Sequence, residues 1–212
     1  MEIYWLGHGC FRIRGREATV VTDPCHPSTG YRISKLTPDI VTVSRDIPDT
    51  TYFQAITNEP KYVTGPGEYE IAGVLMAGAR TETGADAPER ALRNTAYIFD
   101  IDDVRVCHLG AIGRRPASEV VEALSGADVL LVPVGGGNVL NAEAAAETVS
   151  LMEPKIVIPM LFKTDAATAD LESVDKFLKE MGAEGKTPES RLTVTKSTLP
   201  QDTTVVLLNY RG

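Results

Sequence analysis

What most constrains the fold is an order: short strand signals crowd the first half of the chain, and alternating strands and helices fill the second. Ile3–Leu6, Cys10–Ile13 and Ala18–Thr22 are β-branched or aromatic runs separated by turn residues, with Gly15 and Arg16 at a hairpin turn. Asp39–Ser44 reads as a buried strand, and Tyr62–Thr64, Tyr69–Ile71 and Val74–Ala77 follow around the turn Gly65-Pro66-Gly67. The polar stretch from Thr83 to Leu92 reads as a loop. Ala96–Ile101 and Val104–His108 then flank a tight hairpin at Asp102-Asp103. From there the period changes. Ala117–Leu124 is a short helix, Val129–Val134 a strand, Ala142–Met152 a helix stopped by Pro154, and Lys155–Met160 a strand. Leu171–Met181 carries an apolar stripe of Leu171, Val174, Phe177, Leu178 and Met181, with Asp170 as its cap and Gly182 as its stop. Leu192–Thr195 and Thr204–Leu208 close the chain as strands. Two packed sheets with helices outside satisfy this order within one domain over residues 1–212, and pattern alone stops at α+β or layered α/β.

A chain of 212 residues buries a sizeable core without disulfides or a structural metal. The net charge of −8 argues against nucleic acid, which needs a basic face, and against an anionic membrane surface. No apolar run reaches the length of a membrane span. Met1–Leu6 reads as a strand start and not as a signal peptide. Three cysteines without CxxC spacing point to free thiols in a reducing, cytoplasmic setting.

Four ordered stretches go further. They are Gly7-His8-Gly9-Cys10-Phe11 before Thr22-Asp23-Pro24; Asp39–Ser44 running into Arg45-Asp46-Ile47-Pro48-Asp49-Thr50; His108-Leu109-Gly110-Ala111-Ile112-Gly113; and Ile158-Pro159-Met160-Leu161-Phe162. Together they resemble the metallo-β-lactamase superfamily over essentially the whole chain. The closer likeness is to its L-ascorbate-6-phosphate lactonase-like branch of metal-dependent hydrolases, where Gly65-Pro66-Gly67-Glu68-Tyr69 is also typical. The resemblance implies a four-layer αββα sandwich, two mixed sheets flanked by helices. It also implies a dinuclear metal site built on H-x-H-x-D-H, a third His, a bridging Asp and a last His.

At nearly every position where the family places a ligand, this sequence differs. Arg45 stands for the first His, Ile47 for the second and Thr50 for the last His of the motif, while Asp49 keeps the Asp. The third His falls at or near Thr83, the bridging Asp is Ala111, and the final His is Leu161. Ile47, Ala111 and Leu161 carry no donor atom, and a guanidinium cannot deprotonate to bind a metal. At ~4 Å and an effective dielectric of ~20, Arg45 would repel a dication by roughly 8 kcal/mol. The expectation is therefore a non-catalytic family member with no metal cofactor, a pseudoenzyme with a degenerate site. It would bind a small molecule or a protein, as a homo-oligomer or with an active relative. In this view Arg45 replaces the ion and pairs with Asp49, Asp46 or Asp23.

The alternative is a divergent lactonase- or phosphodiesterase-like hydrolase with a rebuilt or single-metal site holding zinc or manganese. His8, Asp23, Cys25, His26 and His108 are its cleft candidates, because each His lies within two residues of a Cys. The simpler reading of the same residues is that Cys10 and Cys107 are small core side chains and that His8 and His108 lock loops by ring hydrogen bonds. Gly135-Gly136-Gly137 before Asn141 could hold an anion at a helix N-terminus, but no Walker lysine follows, and a loop needing glycine geometry is the simpler reading.

Overall fold

The computed structural model describes residues 1–45, 51–84 and 93–211. The polar 83–92 loop and the Asp46–Thr50 segment therefore fall mostly outside the described residues. The first sheet is built from β1 (Glu2–Gly7), β2 (Cys10–Arg14), β3 (Thr19–Thr22), β4 (Ile40–Thr42), β5 (Lys61–Val63) and β12 (Leu192–Thr193). Its order is β12-β1-β2-β3-β4-β5, antiparallel up to β3 and parallel from β3 to β5. The second sheet holds β6 (Gly67–Ile71), β7 (Val74–Glu82), β8 (Arg93–Ile101), β9 (Val104–His108), β10 (Val129–Pro133), β11 (Ile156–Met160) and β13 (Thr204–Val205). Its order is β13-β11-β10-β9-β8-β7-β6, parallel from β13 to β9 and antiparallel beyond.

Both sheets are mixed, as the resemblance implies, and both bury apolar side chains in one main core. Ile3, Phe11, Ile13, Val20 and Ile40 of the first sheet share it with Tyr97, Phe99, Val106, Leu130 and Ile158 of the second. β10 and β11 are buried along their whole length, which is why both read as unbroken apolar runs without alternation. α1 (Ser118–Ala123) packs against β7, α2 (Ala142–Met152) against β10, and α3 (Val174–Glu180) against α2. The β8–β9 hairpin turns on Asp102 and Asp103, both at positive φ (53° and 65°), the geometry of a tight two-residue turn that Asp tolerates.

One element differs from its sequence reading. The helix expected from Leu171 starts three residues later, at Val174, and its cap is Ser173, whose hydroxyl accepts from the Asp175 N–H; Asp170 has no part in it. The cause lies outside the segment. The Glu172 N–H donates to the Gly135 carbonyl and the Lys163 N–H to the Glu172 carbonyl, which hold the chain extended until Ser173. The same contacts account for the triple glycine: Gly136 and Gly137 have positive φ, a Cβ at Gly135 would meet the Leu161 carbonyl, and Asn141 caps α2 with its own side chain. Among the described residues no helix is long and apolar enough to cross a membrane.

Candidate functional site

Several strands end at one place. His8 follows β1, Asp23 follows β3, Ser44 and Arg45 follow β4, His108 ends β9, and Leu161 follows β11. His8, Asp23 and Leu161 are non-glycine residues in the left-handed region, with φ of 53°, 38° and 53°. Such backbone costs about 1–3 kcal/mol per residue and persists only where the surroundings over-determine it. Here they do. The His8 carbonyl accepts from the Trp5 indole N–H (3.0 Å) and from the Leu161 N–H (3.4 Å). Asp23 Oδ1 accepts a short bond from the Ser44 N–H (2.6 Å), while the Asp23 N–H donates to the Thr42 carbonyl. Gly7 is held at φ 99° against the Tyr31 ring, which leaves no room for a Cβ.

The two histidines of this end have different environments. His108 is fully buried, with Nε2 2.9 Å from the Gly9 carbonyl, so that nitrogen carries the proton. Its Nδ1 faces the Ser44 hydroxyl at 3.4 Å. Both ring nitrogens are thus engaged, and burial keeps the ring neutral by lowering its pKa, against the opposing pull of Asp23. His8 is half-buried. Burial, reinforced by the Arg45 guanidinium, brings its pKa down to about 4, so at neutral pH its imidazole is uncharged.

Arg45 is half-buried beside these groups. Burial lowers its pKa and Asp23 raises it, so the two groups influence one another through space. Yet Arg45 lies within 4 Å of no carboxylate among the described residues, and the expected ion pair with Asp23 does not form. Asp46, Ile47, Asp49 and Thr50 lie outside the described residues. Thr83, Ala111 and Leu161 are all buried, and Ala111 and Leu161 belong to the main core.

Cys25 and His26 turn elsewhere. The Cys25 thiol is hydrogen-bonded to Cys10, which lowers its pKa, while burial pushes that of Cys10 up. Both belong to a small second core with Tyr4, Leu6, Val21, Tyr31 and Leu36. His26 caps a short 3-10 turn: its Nδ1 accepts from the Ser28 N–H at 3.1 Å, and its ring lies edge-on to Tyr52.

Two residues outside the candidate site set prove central. Asn94 on β8 donates to the Thr81 hydroxyl (2.6 Å) and the Leu109 carbonyl (2.9 Å), and its Oδ1 accepts from the Ala111 N–H (2.8 Å). It ties β7 to the turn after β9. Ser44 touches Asp23 and His108 at once, and Gly110 is packed so closely on Ser44 and Asn94 that a Cβ would fall 2.5 Å from Asn94 Oδ1. Ser44 gives only the signal of a polar residue ending a strand pattern, and Asn94, just ahead of the Ala96–Ile101 run, gives none.

Whether the superfamily's metal fits can be tested on these side chains. Ala111 and Leu161 bring no donor, His108 has both nitrogens occupied, and Arg45 is a cation. Among the described residues no three His, Cys, Asp or Glu side chains cluster as metal ligands. The described residues therefore do not fit the dinuclear set.

Comparison with known proteins corrects the expectation of a chain without a cofactor. The profile described as a Beta-lactamase superfamily domain matches residues 2–161. A UPF0173 protein of Pyrococcus furiosus is 29% identical over 199 residues, covering 85% of this chain and 91% of its own. A UPF0173 metal-dependent hydrolase of Thermoplasma acidophilum is 26% identical, covering 81% and 88%. A crystal structure from Thermotoga maritima, provisionally named a Zn-dependent hydrolase of the metallo-beta-lactamase superfamily, superposes with a TM-score of 0.83 at 30% identity and covers 99% of both chains. Relatives named for metal-dependent hydrolysis imply a metal cofactor in this family, and that overturns the cofactor-free expectation. By its profile match and its likeness along nearly its whole length, the chain belongs to the metallo-β-lactamase superfamily.

Proposed function

We propose that this chain is a divergent metal-dependent hydrolase, lactonase- or phosphodiesterase-like, that acts at the strand ends around His8, Asp23, Arg45 and His108 with a rebuilt or single-metal site. The observation that carries the reading is the strained backbone at His8, Asp23 and Leu161, three residues far apart in sequence that each follow a strand ending at this place. Strain at three strand ends that meet at one place favours a working site over a remnant. Ligands of α/β sheets also bind outside the carboxyl ends of strands, where these residues lie. The names of the relatives support hydrolysis, and a lactone or phosphodiester substrate rests on the motif resemblance alone.

The chain's own groups have definable tasks. Arg45 is a half-buried cation without a carboxylate partner among the described residues, suited to stabilise negative charge developing on a substrate oxygen. His8 is neutral at pH 7 and can accept a proton or hydrogen bond from an attacking water. Asp23, fixed by the Ser44 N–H, holds the β4 end in register with His108.

Metal content tests the reading. Protein purified without chelator or nickel resin is measured for zinc, manganese and iron beside Asp49→Ala, the one carboxylate of the motif that the sequence retains. About one equivalent per chain in the wild type, lost in the variant, is expected. Sub-stoichiometric metal in the wild type contradicts the metal-dependent reading and leaves ligand binding as the role of the cleft.

A further inference from the structure

A pocket lies beside Ser44, at the seam between the two sheets. It encloses about 340 Å³ and is lined by Ser44, Thr64, Arg80, Arg93, Asn94 and Thr95, with Pro66 at its edge. The register explains the arrangement. Arg80 of β7 pairs with Thr95 of β8, and Glu82 pairs with Arg93, so Arg80, Glu82, Arg93 and Thr95 share one face of the second sheet. That face looks at the first sheet, because Tyr97, two residues beyond Thr95, donates from its hydroxyl to the Val43 and Val63 carbonyls. Ser44 and Thr95 are buried and form the inner wall, while the two arginines are exposed at the mouth.

The charges are unbalanced in a way composition does not require. The chain carries 29 acidic and 21 basic residues. Even so, neither Arg80 nor Arg93 has a carboxylate within ion-pair distance among the described residues. Glu82, directly opposite Arg93 in the ladder, pairs with Arg114 at 3.7 Å instead. Arg80 and Arg93 are diagonal neighbours on adjacent strands, close enough for like charges to repel. An anion between them would remove that repulsion and take up two planar, multi-donor groups suited to bidentate oxyanions. The enclosed volume falls in the range of small-molecule sites.

We propose that this pocket binds the oxyanion head of a small molecule, a phosphate or carboxylate group held between Arg80 and Arg93 and the hydroxyl of Thr64 or Thr95. Ser44 is the shared wall: its backbone N–H holds Asp23 and its hydroxyl faces His108. A ligand anchored here by its anionic end therefore lies one side chain away from Asp23 and His108. Binding at this pocket goes beyond the hydrolase reading and is measured without turnover, so either can fail alone.

Isothermal titration of the full-length chain with inorganic phosphate and, separately, with malonate tests the proposal. The variants are Arg80→Gln, Arg93→Gln and, as a distant control, Arg16→Gln, with melting temperature confirming that each is folded. Saturable binding of one anion per chain is expected for at least one probe, at least tenfold weaker in both Arg80→Gln and Arg93→Gln and unchanged in Arg16→Gln. Response to phosphate alone assigns a phosphoryl head, and response to malonate assigns a carboxylate or a general oxyanion site. Absence of saturation with both probes overturns the proposal, as does binding that survives in either Arg80→Gln or Arg93→Gln.

Discussion

At the scale of single residues, His8 and Asn94 make contributions that can be measured apart from any reaction. The His8 pKa falls from the ordinary 6.5 to about 4 in the folded chain. A base with a depressed folded pKa is protonated first in the unfolded chain, so its contribution is intact above about pH 6.5 and is lost as pH falls towards 4. The gap corresponds to about 3 kcal/mol, an upper figure for one half-buried ring. His8→Asn, which tolerates positive φ, is therefore expected to flatten the pH dependence of stability between pH 6.5 and 4. Urea unfolding across that range would show it, and parallel curves for wild type and variant would contradict it. Asn94→Ala strands the buried Ala111 N–H and the Leu109 carbonyl. The expected loss is about 1–3 kcal/mol for each unsatisfied group, and a total below about 1 kcal/mol would show that the network is not holding the turn. His8, Asp23 and His108 were legible in the sequence because each sits in a motif. Asn94 and Ser44 were not, because their importance comes from groups brought to them from other strands.

At the scale of elements, most strands announced themselves. β1, β2 and β3 are short β-branched or aromatic runs between turn residues, and β10 and β11 are apolar throughout because both of their faces are covered. α2 was readable to the residue because Asn141 caps it locally. The start of α3 was not, since the apolar stripe runs back to Leu171 while the Glu172 N–H donating to the Gly135 carbonyl and the Lys163 N–H donating to the Glu172 carbonyl keep Glu172 extended. Ser173→Ala is accordingly expected to cost about 1 kcal/mol, and Asp170→Ala within about 0.5 kcal/mol of nothing. Thermal unfolding distinguishes them, and the reverse ranking would restore the longer helix.

At the scale of the molecule, the fold follows from two mixed sheets whose strands deliver side chains from distant parts of the sequence to one end. Leu161 at that end occupies a left-handed turn, and Arg45, Ala111 and Leu161 stand where the resemblance expects ligands. The sandwich was legible from the order of strand and helix signals and from four motifs. The cofactor is not legible in the sequence, because missing donors at the expected ligand positions do not by themselves remove the chemistry for which the relatives are named. The central claim is that hydrolysis takes place at this end with Arg45 facing the developing charge. Its most direct test is the rate of hydrolysis of a lactone and phosphodiester panel at pH 7 with zinc or manganese supplied, comparing wild type with Arg45→Gln. The account predicts turnover of at least one substrate by the wild type and a fall of about 10²–10³-fold in the variant. No turnover of any substrate, or equal rates in the two proteins, would contradict it.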